Sequence, residues 1–235
     1  EPDEFQKRAF YRILRNEHVF VSVPTGAGKT TVVDLLLGLL RPTAGQIVVD
    51  GQAITDANLR AYQASLGYVP QEIFLTDATV AENIALGVPT EDINQEQVER
   101  CARMAHVHDF IVRDMPNGYA TTVGERGVRL SGGQRQRIGI ARALYHEPAV
   151  LVFDEATSAL DTATEKAVMD AIEALHHQKT IILIAHRLST VRNCDQVVLL
   201  EHGHIQGIGS YDQLARENDR FQKLSGNNEP QINAS

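Results

Sequence analysis

Residues 130–161 read LSGGQRQRIGIARALYHEPAVLVFDEATSALD. This stretch decides the fold, because a turn, a helix, a buried strand and a carboxylate pair follow one another without interruption. Ser131 is a natural N-cap whose hydroxyl oxygen can accept from a free backbone N–H, and Gly132 and Gly133 let main chain approach a neighbour closely. A helix N-terminus carries unpaired N–H groups and a partial positive charge, so that neighbour is expected to be anionic, with phosphate the best match. Ile138, Ala141, Leu144 and Tyr145 recur at helical spacing, Arg135, Arg137 and Arg142 fall largely on other faces, and Pro148 predicts the stop. AVLVF, residues 149–153, contains no polar residue and predicts a strand buried on both faces of a parallel sheet. Asp154 and Glu155 follow where that strand ends. Ligands of open α/β sheets bind beyond the carboxyl ends of the strands, so two acids there suit Mg²⁺ binding and general-base chemistry.

A second phosphate pattern lies upstream. HVFVSV, residues 18–23, predicts another buried strand and leads into PTGAGKTT, residues 24–31. Gly26 and Gly28 permit a tight loop, Thr25 to Thr31 with Ala27 inside it, whose amides cradle phosphates. Lys29 would reach the β- and γ-phosphates, and the Thr30 hydroxyl could ligate Mg²⁺. VVDLLLGLL then supplies the apolar face of a helix expected from about Thr31 to Leu40. Val23 stands where the strict P-loop pattern begins with glycine.

Taken together, LSGGQRQRIGIARAL and DEATSALD resemble the signature motif, Walker B motif and D-loop of an ATP-binding cassette (ABC) ATPase of the exporter branch, and the resemblance covers roughly Thr25 to Leu224. It implies an α/β fold, a P-loop NTPase (RecA-like) parallel-sheet core with an inserted helical lobe. The strands VFVSV, LGYVP, AVLVF, TIILI and QVVLL, alternating with helices, point to the same core from pattern alone. Gln71, closing LGYVPQ, resembles the Q-loop glutamine that contacts Mg²⁺ and the attacking water. His186, closing TIILIAH, is similar to the H-loop histidine that holds the γ-phosphate. The resemblance implies ATP and Mg²⁺ as cofactors, with Thr30, Gln71 and Asp154 at the metal and Glu155, His186 and Gln71 catalytic. It further implies a head-to-tail homodimer on ATP binding, in which Ser131, Gly132, Gly133, Gln134 and Asp161 face the nucleotide held by the other copy. TVGERG, residues 122–127, resembles the exporter loop that senses a membrane domain, and that domain is not in this chain.

The first thirty residues depart from the family pattern. DEFQKRAFYRILR, residues 3–15, predicts a helix in which Asp3 and Gln6 are spaced like a capping box. FQKRAFYRILRNEHVFVSVPTGAGKT resembles the opening of a DEAD/DEAH-type helicase, where a Phe-Gln element reads adenine. Residues 1–30 are therefore expected to be helicase-like, with Gln6 at the base, and the chain to be a chimera joined at the P-loop. The other reading is a divergent ABC N-terminus in which Gln6 only caps a helix.

The expected division is a single ABC-type ATPase domain over 1–235. Within it, 1–30 is the N-terminal segment and P-loop, 31–78 and 144–224 the rest of the RecA-like core, 79–143 the helical lobe and 225–235 a flexible tail. At 235 residues the chain can bury its own core, and 43% apolar with 22% charged residues is ordinary for a soluble globular protein. The formal net charge of −8 opposes a polyanionic partner, so no nucleic acid is expected. Cys101 and Cys194 have no disulfide or metal-ligand spacing and fit a reducing cytosol. No apolar run reaches the roughly 18 residues a membrane span needs, so a cytoplasmic place, at the membrane face if part of a transporter, is expected. Three functions compete: an ATPase powering an exporter, a recombined P-loop domain that binds nucleotide without transport, and a nucleic-acid-dependent helicase-like ATPase.

Overall fold

The computed structural model describes residues 19–22, 29–124, 128–156, 162–175, 178–185, 188–201 and 204–226. In order, the elements are β1 (Val19–Ser22), α1 (Lys29–Leu36), β2 (Val48–Val49), β3 (Gln52–Ala53), α2 (Leu59–Ala64), β4 (Leu66–Val69), α3 (Val80–Ile84), α4 (Gln95–Met104) and α5 (His108–Asp114). They continue with α6 (Gly132–Leu144), β5 (Val150–Asp154), α7 (Thr162–Glu173), β6 (Thr180–Ala185), β7 (Gln196–Glu201), β8 (His204–Gly209), α8 (Tyr211–Glu217) and α9 (Asp219–Gly226). Two compact units divide the chain: residues 1–63 with 180–235, and residues 64–179.

In the first unit β1 runs between β6 and β7, parallel to both, with Val19 opposite Ile182 on one side and Gln196 on the other. β8 returns antiparallel on β7, with a register shift between Leu199 and Leu200. Ile181, Ile182, Ile184, Val197, Leu199 and Leu200 are all buried. Unbroken apolar runs without alternation are what strands covered on both faces require. α1 buries Val32, Val33, Leu35 and Leu36.

That helix stops at Leu36, short of the expected Leu40. Gly38 takes φ +66°, its N–H closes onto Leu35 O at 3.0 Å, and Leu39 is left 64% exposed. A glycine in the left-handed region is the common way to end a helix. A hairpin forms from β2 and β3, Val48 opposite Ala53, with Asp50 at φ +50° and Gly51 at φ +81° supplying the turn. The segment 210–224 holds two helices, α8 and the greater part of α9. Asn218 divides them, its Oδ1 accepting from Phe221 N–H at 2.9 Å and so capping α9, while Ser210 Oγ caps α8 through Gln213 N–H at 3.2 Å.

In the second unit β4 and β5 are parallel neighbours, Leu66 opposite Val150 and Val69 opposite Phe153. β5 is buried from Val150 to Phe153. Ile84 of α3, Ile111 of α5 and Ile138 and Ile140 of α6 are fully buried. Gly67 lets β4 approach closely: a Cβ there would lie 2.7 Å from Ala143 O, a backbone atom at the end of α6. Among the described residues no helix is long and apolar enough to cross a membrane.

Candidate functional site

α6 begins as its sequence demands. Ser131 (φ −65°, ψ 162°) is the N-cap, its Oγ accepting from Gln134 N–H at 3.2 Å while Gln134 Oε1 accepts from Ser131 N–H at 2.8 Å. This is a complete capping box. Gly132 and Gly133 are the first two helical residues, and their N–H groups have no carbonyl partner within the helix. Ser131 and Gly132 are exposed and Gly133 is buried. A Cβ on Gly133 would lie 1.9 Å from Thr164 Cγ2 of α7, so the second glycine is required by packing as well as by any ligand.

The pairing of β4 with β5 places two other candidates side by side. Val69 is opposite Phe153, so Asp154 and Glu155 leave β5 where Pro70 and Gln71 leave β4. Tyr68 Oη donates to Asp154 Oδ2 at 3.3 Å. Glu155 has φ +48°, a left-handed conformation that costs a non-glycine residue roughly 1–2 kcal/mol, and it turns the chain sharply off the strand line directly after the aspartate. Such strain collects at working sites.

Behind the Gln71 loop stands a polar network that residue spacing did not reveal. Asn83 is fully buried; its Oδ1 accepts from Thr76 N–H at 2.9 Å and its Nδ2 donates to Thr79 O at 3.0 Å. Arg142 of α6 donates to Asn83 O at 2.8 Å and to Phe74 O at 2.9 Å, and burial pushes its pKa down. The loop leaving Gln71 is thereby tied to the helix that begins at Ser131. An Asn within an acidic-apolar run such as AENIAL carries no sign in sequence that it will be buried.

Lys29, Thr30 and Thr31 are the first three residues of α1, with β1 the strand before them. Gln6, Thr25, Gly26, Ala27, Gly28, Asp161, His186 and residues 125–127 lie outside the described residues. The oxygen donors proposed for a cation, a threonine hydroxyl, an amide carbonyl and a carboxylate, are of the hard kind that suits Mg²⁺.

Residues 9–158 match the family model for ABC transporters. The chain belongs to the ABC transporter family. It is 47% identical over 214 residues to the Beta-(1-->2)glucan export ATP-binding/permease protein NdvA of Rhizobium meliloti (strain 1021), covering 91% of this chain and 36% of that one. It is 42% identical over 214 residues to the ATP-dependent lipid A-core flippase of Cupriavidus pinatubonensis (strain JMP 134 / LMG 1197), with the same two shares. A bacterial Atm1-family ABC exporter solved with ATP bound superposes with a TM-score of 0.83 at 38% identity, over 94% of this chain and 38% of the other. The chain therefore corresponds to the nucleotide-binding part of these exporters, an ATP-binding domain of an ATPase family with the α/β P-loop fold, and spans little more than a third of their length. The helicase-like opening and the chimera joined at the P-loop gain no support. The ABC match starts at residue 9 and runs through the P-loop, and the helix expected over residues 3–15 lies outside the described residues.

Proposed function

We propose that this chain binds and hydrolyses ATP with Mg²⁺ as cofactor and powers a membrane exporter whose membrane domain lies outside residues 1–235. The observation that carries the proposal is the pairing of β4 with β5, which delivers Gln71 and the Asp154–Glu155 pair at neighbouring strand ends. In this reading the loop Thr25–Thr31 wraps the phosphates with its amides, and Lys29 balances the charge of the β- and γ-phosphates. Thr30, Gln71 and Asp154 hold Mg²⁺. When bound, the cation offsets charge gathering on the phosphoryl oxygens. Glu155 takes the proton of the attacking water, Gln71 orients that water and His186 contacts the γ-phosphate.

Ser131, Gly132, Gly133 and Gln134 present the start of α6 to the nucleotide of a second copy, with Asp161 beside them, in a head-to-tail homodimer that forms on ATP binding. The domain division remains the one expected above, a RecA-like core with residues 79–143 as helical lobe, placed at the cytoplasmic face of the membrane. Glu155→Gln tests the reading, because it removes basicity and keeps shape. Turnover should fall ~10²–10⁴-fold while ATP binding persists and the ATP-dependent dimer accumulates in size-exclusion chromatography. Turnover at the wild-type rate would take the general-base role away from Glu155.

A further inference from the structure

We propose that Tyr68 is a positioning residue for Asp154, holding the carboxylate in the orientation that receives Mg²⁺; the inference rests on the nucleotide-site reading above. β4 and β5 are parallel, with Tyr68 opposite Val152. Side chains two apart on a strand share a face, so Tyr68, Val152 and Asp154 point to the same side of the sheet. Asp154 lies two residues further along, about 6.6 Å at the rise of a parallel strand. Only a long side chain with a polar tip spans that step, and Tyr68 does so, its hydroxyl 3.3 Å from Asp154 Oδ2.

Asp154 is the last residue of β5, and Glu155 at φ +48° turns the chain away immediately after it. The carboxylate thus stands at the point where strand pairing ceases to constrain it. A lateral donor on Oδ2 restricts χ1 and χ2 and fixes which oxygen faces the cation. The rest of β4 is Leu66, Gly67 and Val69, and Tyr68 is 37% exposed, more than a residue kept for packing alone requires. At 3.3 Å the bond is longer than the usual O–H···O distance, so its loss should weaken metal binding several-fold without abolishing it.

Tyr68→Phe removes the hydroxyl and nothing else. Binding of a fluorescent ATP analogue to the full chain, followed against MgCl₂ and separately in EDTA, reads the effect without turnover. The Mg²⁺ concentration for half-maximal tightening should rise about fivefold, with affinity in EDTA and melting temperature unchanged. Asp154→Asn in the same titration separates the two levels. If Asp154→Asn shifts the Mg²⁺ dependence and Tyr68→Phe does not, the positioning role is overturned and the nucleotide site stands. If neither variant shifts it, the Mg²⁺ reading of the site fails as well. A fall in melting temperature and in EDTA affinity together would make Tyr68 a structural residue and overturn the proposal.

Discussion

Gly133 shows how much one hydrogen in place of a methyl can decide. Alanine is the better helix former by about 1 kcal/mol, so Gly133→Ala near the start of α6 would stabilise an isolated helix. Here the added Cβ would fall 1.9 Å from Thr164 Cγ2, and overpacking of that kind typically costs ~1–3 kcal/mol. The clash outweighs the propensity gain. Gly133→Ala should therefore lower the urea midpoint, and adding Thr164→Ser, which deletes Cγ2 and keeps the hydroxyl, should restore most of the loss. Equal destabilisation in the single and the double variant would show that α7 is not what requires the glycine. Ser131, by contrast, was fully legible: its partner Gln134 is three residues away, and a capping box is written in local sequence. Tyr68 and Arg142 were not legible, because their partners Asp154 and Asn83 are distant in sequence and meet them only through strand register and helix packing.

At the scale of elements, α3 depends on its first turn. Glu82 accepts from Thr79 Oγ1 at 2.6 Å, from Thr79 N–H at 2.8 Å and from Thr90 Oγ1 at 3.0 Å. The Thr79 hydroxyl, then the Thr79 N–H, then Thr90 hold its pKa below the ordinary 4.5. A carboxylate whose pKa is lower folded than unfolded stabilises the fold fully above the unfolded value, and the contribution disappears as pH falls through the folded one. Chemical denaturation of wild type and Glu82→Gln should accordingly differ by a constant amount above about pH 5.5, and the gap should close as the pH falls below 4.5 and through the lower folded value. A gap that widens on acidification would contradict this account of the cap. α1 carries the complementary lesson. Its apolar periodicity announced helix correctly, but its end was set by Gly38 in a left-handed conformation, and periodicity is blind to that.

For the whole molecule, the formal charge of −8 and the exporter relatives point the same way. Single-stranded RNA should leave ATP turnover within about twofold of its basal rate, since a net negative surface opposes a polyanion. A several-fold rise in hydrolysis on adding RNA would return the nucleic-acid-dependent reading. The opening of the chain departs from the family pattern because its periodicity predicts a helix before the P-loop and Val23 stands where the strict pattern has glycine. Local letters shared by two P-loop families cannot separate them, whereas the match over residues 9–158 takes in far more of the chain than those letters.

By itself the sequence determined the α/β class, the apolar strands and the cap of α6, all of which rest on patterns local in the chain. The acids at the end of β5 were equally readable, because a polar pair after an apolar run marks a strand end. Tertiary structure alone decided which helix Gly133 abuts, which hydroxyl reaches Asp154 and which carbonyls Arg142 secures. Those contacts depend on parallel register and on packing distances of a few ångströms, and residues far apart in the chain acquire them only once the strands and helices have assembled.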